Sequence, residues 1–268
     1  MTRQDTKPAK STNARAKTFV TPARRIAAVI SGSLLWLAPT AIGLALCLWS
    51  PSSVERLRNL IFDYDQRISP RAYDPEAPVR VIDIDDASLA RIGQWPWSHQ
   101  RLADLTNRLA GLGAAAIAFD VLFAERDRLA PTDLVAELPK LPERDALISA
   151  LAANGVSGTK NFAEAIAKVP TALAFALTNG DTKESVPVKA GFATAGDNPR
   201  TFIRHFPSAI LPLPELRDAA AGLGSINWAP DRDLIVRKVP LVLALGTGTD
   251  AELVPGLDAE ALRLAQHA

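Results

Sequence analysis

The sequence predicts an α/β protein in which one N-terminal transmembrane helix is followed by a single extracytoplasmic domain with a mixed, largely parallel sheet flanked by helices. Three observations predict it. An uncharged run at residues 26–50 follows a strongly cationic tail. The stretch VRVIDIDDASLARIG, residues 79–93, passes from β-branched residues into carboxylates and then into a helical pattern. Beyond it, apolar runs of strand length alternate with amphipathic runs of helix length, the order that builds parallel crossovers.

Residues 1–25 hold seven Lys or Arg against one Asp, a net of +6, so that the remainder carries −5 of the overall +1. With Ser, Thr and Pro and no apolar periodicity, the tail reads as disordered and cytoplasmic. A transit peptide would need an apolar face that this tail lacks. The span 26–50 extends about 37 Å as a helix, enough for a hydrocarbon core of about 30 Å. It exceeds the apolar region of a signal peptide, and Leu-Ala-Leu before Cys47 puts a large residue where a cleavage site takes a small one, so an uncleaved anchor is expected. Cations resist translocation, which leaves the N-terminus inside and the main domain in the periplasm or outside the cell.

Residues 51–72 form a membrane-proximal helix and linker, in which Val54, Leu57, Leu60, Ile61, Tyr64 and Ile68 recur at three- and four-residue steps. That stripe packs either on the domain or on its copy in a homodimer. Residues 73–268 make the domain. Val79, Val81, Ile82 and Ile84 read as a strand buried on both faces, Asp85 or Asp86 as the cap of the helix ASLARI, and Gly93 as its stop. HQRLADLTNRLAGLG is an amphipathic helix and AAAIAFDVLF a second strand. Residues 124–160 read as an insertion with a helical piece, ERDALISALAANG; NFAEAIAKV is a helix and PTALAFAL a third strand. Residues 179–215, with five prolines, suggest an extended excursion. GLGSINW and LIVRKVPLVLALG suggest an antiparallel hairpin, and GLDAEALRLAQHA a closing helix.

The IDIDDAS turn, the WPW triplet, the AIAFDVLF strand ending in Asp120, and GLGSINWAPDRD followed by VRKVPLVL together resemble the second class of CHASE domains over residues 55–268. The resemblance implies an extracytoplasmic sensor of the kind found ahead of bacterial adenylate or guanylate cyclases, histidine kinases and diguanylate cyclases. In that family further membrane helices and a cytoplasmic output domain follow the sensor. One position departs from the pattern: Leu234 stands where the family has a glycine after its second aspartate. A turn of positive φ is strained there.

Candidate ligand-binding residues are Asp83, Asp85, Asp86 and Asp120, at the ends of two strands that a crossover would set side by side, and Trp95 and Trp97 around Pro96. The carboxylates suit a divalent cation or a donor-bearing ligand; the competing reading is that Asp86 caps a helix and Asp120 anchors a loop. The tryptophans suit a flat or cationic ligand, or a rigid lid over a core edge. Arg237 is placed to pair with Asp231 or Asp233. No cofactor is indicated, and the identity of any metal is unknown from the sequence. Cys47 is the single cysteine, which excludes an intrachain disulfide and a thiolate cluster. His99, His205 and His267 stand in unrelated contexts, Ser157–Lys160 matches S-x-x-K without a companion motif, and neither G-x-x-x-x-G-K-[ST] nor G-x-S-x-G occurs. Enzymatic chemistry is therefore not expected within these residues, and the acidic main domain does not suit nucleic acid. Two functions remain: a membrane-anchored sensor of an unknown extracytoplasmic ligand or protein cue, or a stand-alone membrane-anchored subunit that assembles with another membrane protein without sensing.

Overall fold

The computed structural model describes residues 37, 39–45, 52–137, 139–140, 142–153, 157–181, 185–187, 189 and 191–266. The expected tail and most of the expected span lie outside these residues. Residues 39–45 are helical, and among the described residues no helix is long and apolar enough to cross a membrane. The chain divides into two compact units, 1–82 and 83–268.

In the first unit, α1 (Ser52–Ile68) carries Glu55 in its first turn and Arg67 in its last, the arrangement that complements the helix dipole. Its predicted stripe is exposed at Leu57, Leu60, Ile61, Tyr64 and Ile68. The segment that follows corrects an expectation. Residues 79–84 form no strand, and Val79, Val81 and Ile82 are exposed, Val81 at 89%. β-propensity is realised only against a neighbouring strand, and no ladder among the described residues includes this segment. The side chain of Arg80 is engaged locally instead: its guanidinium donates to the carbonyls of Ala77, Val79 and Pro75.

The second unit is a mixed α/β structure, as expected. Its helices are α2 (Asp86–Ile92), α3 (His99–Gly111), α4 (Pro131–Ala136), α5 (Pro142–Ala153), α6 (Gly158–Ala167), α7 (Pro214–Ala219) and α8 (Leu257–Ala265). The central strand is β2 (Thr171–Thr178). It pairs in parallel with β1 (Ile117–Phe119) and β5 (Gly222–Ser225), and antiparallel with β4 (Ser208–Ile210). A second sheet joins β3 (His205–Phe206), β6 (Val242–Leu245) and β7 (Glu252–Pro255), and a bridge from Ser225 to Gly256 links it to β5. Thus α4, α5 and α6 lie in the crossover between the parallel strands β1 and β2. The strands β3 and β4 and the helix α7 interrupt the expected extended excursion.

Register explains why helices cover both faces of this sheet. Phe119, Leu173 and Leu223 align across β1, β2 and β5, and so share one face; Ala118, Ala172 and Gly222 align on the other, with Ala174 opposite Gly224. Leu173, Phe175 and Leu177 join a core with Leu102 and Ala103 of α3, Phe162 and Ile166 of α6, and Leu216 of α7. The small-residue face receives α8 at very short range. A Cβ on Gly224 would lie 2.4 Å from Leu257 Cα, and one on Gly222 would lie 2.2 Å from Glu260 Oε1. Glu260 is buried there and is paired with Arg263 at 2.8 and 2.9 Å.

The expected hairpin of GLGSINW and LIVRKVPLVLALG does not form. β5 pairs with β2, and β6 lies between β3 and β7. A side chain closes the end of β5: Asn227 Oδ1 accepts from Leu177 N at 2.6 Å, and its Nδ2 donates to Leu177 O at 2.7 Å. The amide thus reproduces the donor and acceptor of a strand residue, and Ser225 Oγ donates to its Oδ1 at 2.8 Å to orient it.

The backbone clash at Gly224 has a direct test. Gly224→Ala is expected to push α8 off the sheet at a cost of about 3 kcal/mol, lowering Tm by roughly 6–10 °C. Gly111→Ala, where a Cβ meets nothing within 4 Å, is the control and should leave Tm unchanged or slightly raised.

Candidate functional site

Of the aspartates singled out above, one has a resolved structural role. Asp85 is the N-cap of α2: its Oδ1 accepts from Ser88 N at 2.8 Å and from Ser88 Oγ at 2.6 Å. The Ser88 hydroxyl and then its N–H hold the Asp85 carboxyl below the usual carboxylate range. The cap is therefore Asp85, with Asp86 the first helical residue and exposed. Asp83 is exposed before the helix, and Asp120 is exposed directly after β1. The ladder that would have set these two side by side is the one residues 79–84 do not make. Among the described residues no group of three or more His, Cys, Asp or Glu is arranged to hold a metal ion.

The tryptophans, by contrast, meet. Trp95 and Trp97 pack edge to face with ring centroids 5.8 Å apart, on either side of the cis Trp95–Pro96 bond. Trp97 is buried and its Nε1 donates to Gly93 O at 2.9 Å; Trp95 is half-buried against the core. Arg101 secures the same loop by donating to Ile92 O at 2.7 Å. The pair forms the rigid lid over a core edge.

Behind the lid lies a polar node that the sequence reading missed. Ser98 caps α3, and Asp127, from the loop after β1, adds a second acceptor: its Oδ2 takes the His99 N–H at 2.8 Å, and its Oδ1 takes the Leu129 N–H at 3.0 Å. His99 and Asp127 are both buried. His99 Nδ1 stands 2.9 Å from Thr159 Oγ1, while the ring packs against Phe123 and Phe162 at centroid distances of 5.9 and 5.7 Å. α6 approaches so closely that a Cβ on Gly158 would lie 2.9 Å from Gln100 N and 3.2 Å from Asp127 Oδ2. Ser157 caps α6 through Lys160 N at 3.2 Å, so the S-x-x-K match is a helix start. A histidine followed 28 residues later by a lone buried aspartate has no local periodicity, and only the capping position of Ser98 hinted at the node.

Burial pushes the His99 imidazole below its ordinary value, and Asp127 opposes that shift. A cavity of about 260 Å³, including space open to solvent, lies elsewhere, beside Glu252 and Glu260.

The carboxyl-terminal motif is also built as anticipated. Arg237, 6% exposed, donates to Asp231 Oδ2 at 2.9 Å and to both oxygens of Asp233 at 2.9 and 2.8 Å. The guanidinium holds the Asp233 carboxyl low. At the turn they enclose, Leu234 adopts φ +64°.

The family model described as CHASE2 domain matches residues 40–268. The chain belongs to the CHASE2 family. A CHASE2 domain is an extracytoplasmic sensory domain found in cyclases and kinases, and its role is not catalytic. No curated protein and no solved structure matches this chain. Within the family match, the WPW lid, the Asp120 strand end and the Arg237 clasp occupy the segments that carried the resemblance.

Two outcomes follow for this CHASE2 domain. Because the folded-state value of His99 lies below its unfolded value of about 6.5, its neutral form adds stability above that pH, which is lost as pH falls toward the folded value. Thermal melts at pH 7.5 and 5 should show a loss for the wild type that His99→Gln reduces; equal losses would remove His99 as the cause. Leu234→Gly should relieve the left-handed strain and raise stability by about 1 kcal/mol, read as a higher midpoint in urea with an unchanged slope.

Proposed function

We propose that this chain is the membrane-anchored sensory part of a bacterial signal-transduction protein, a receptor cyclase, histidine kinase or diguanylate cyclase. Residues 26–50 are its anchor, the N-terminus is cytoplasmic and the domain lies outside the membrane. The match to the CHASE2 family over residues 40–268 carries this reading. The charge asymmetry of the first 25 residues supports the orientation. The cue is an extracytoplasmic ligand or protein, and the WPW lid and the exposed Asp83, Asp85, Asp86 and Asp120 are its proposed receiving residues.

The exposed stripe of α1 supports a homodimer. Val54, Leu57, Ile61, Tyr64 and Ile68 follow a three-four spacing that places Val54, Ile61 and Ile68 at a positions and Leu57 and Tyr64 at d positions. β-branched residues at a with Leu at d favour two parallel strands. Such a pair carries a change in helix phase or spacing toward the membrane.

One experiment tests location and pairing together. In a Cys47→Ser background, Leu57→Cys, Ile61→Cys and Tyr64→Cys are treated in spheroplasts with a membrane-impermeant bis-maleimide. Cross-linked dimers at these three positions, with labelling but little cross-linking at Arg56→Cys and Asn59→Cys, are expected. Labelling only after lysis would reverse the orientation, and labelling without dimers would remove the paired helix.

A further inference from the structure

Between β5 and β6 the chain leaves the sheet, and residues 228–241 contain no strand or helix. The tip of this arm is a tight turn, in which Leu234 N donates to Asp231 O at 2.9 Å and Asp231 N to Ile235 O at 3.0 Å. Inside the turn Arg237 clasps Asp231 and Asp233, which stiffens the tip and offsets one of their two negative charges. Outside, the side chains are the reverse of what a solvated turn carries. Leu234 is 82% exposed at a backbone conformation that favours glycine, and Ile235, Val236 and, at the base, Trp228 are exposed as well. The exposed charges beside them that Arg237 does not engage are Arg232 and Lys238, both cationic.

We propose that this tip is a membrane-surface contact: Leu234, Ile235 and Val236 enter the boundary between headgroups and acyl chains of an anionic bilayer, with Arg232 and Lys238 at its phosphates. Three consecutive aliphatic residues around a turn point in different directions. A folded partner with one rigid face meets only some of them, whereas a fluid lipid phase surrounds all three. The clasp halves the repulsion that anionic lipid would exert on the two aspartates, and three cations against two carboxylates over residues 231–238 leave the tip a net charge of +1 toward that surface. Trp228 supplies an amphipathic ring of the kind that settles at the headgroup level. Leucine at a position suited to glycine has no packing partner to account for it, and insertion gives that side chain an apolar surrounding. The proposal does not rest on the sensory reading, which concerns the role of the domain and not this surface.

The test uses the full chain in lipid nanodiscs, with Cys47→Ser and a bimane probe on Leu234→Cys, and separately on Val236→Cys in case the first change disturbs the turn. In discs containing phosphatidylglycerol the emission should shift to the blue and be quenched by doxyl-labelled lipid. A probe on Thr249→Cys, at an exposed turn elsewhere, should remain unquenched. Arg232→Gln and Lys238→Gln should each lower the ratio of inserted to free tip by roughly fivefold, and high salt should do the same. Solvent-like emission at both positions would overturn the proposal. So would a blue shift without quenching by doxyl lipid, which marks contact with protein.

Discussion

The close approach of α8 to the sheet is the constraint on which the second unit depends. Gly222 and Gly224 on β5, aligned with Ala172 and Ala174 on β2, leave a shallow face that brings the backbone of α8 within van der Waals range. The bulky residues are thereby assigned to the opposite face, where Leu173 and Phe175 meet α3, α6 and α7. The asymmetry is energetic as well as geometric. One face gains from large apolar area, the other from dense contact between small residues and the main chain. Glu260, buried at this contact, is tolerated because Arg263 pairs with it through two hydrogen bonds.

How much of this was legible follows from the range over which each signal acts. Helix starts act locally, so the cap of α2 falls on Asp85, the first of its two adjacent candidates, and α3 begins at His99 as its pattern does, whereas α6 starts behind Ser157, ahead of the expected Asn161. PTALAFAL reads as a strand because apolar residues fill both of its faces, and β2 is the central strand. The same logic fails for Val79–Ile84, since β-branched residues report suitability for a sheet without supplying the neighbour. The hairpin fails for a related reason. Turn residues and apolar runs mark where strands can meet, yet partner choice went to β2 for β5 and to β3 and β7 for β6. The node of His99, Asp127 and Thr159 joins residues 28 and 60 positions apart, beyond the reach of any short motif.

The candidate site divides in the same way. Asp85 and the WPW pair resolve into a cap and a lid, both structural in what they touch. The start of α3 just after them is fastened to the loop after β1 by Asp127, so the segment most characteristic of the family adjoins the node where His99 meets Thr159 of α6 and the rings of Phe123 and Phe162. In this chain the lid residue Trp97 and the buried His99 are almost adjacent.

The amide of Asn227 has a consequence of a mechanical kind. Strands normally come apart by successive main-chain pairs, each separation exposing the next, so that resistance is spread along the ladder. Here the last rung beside Leu177 is a side chain held by Ser225, and it parts by rotation about its own torsions, with no need for the strand behind it to leave register. The arm beyond is therefore moored by a latch, so that a pull on it is expected to open the amide at residue 227 before it parts the main-chain pairs of the sheet.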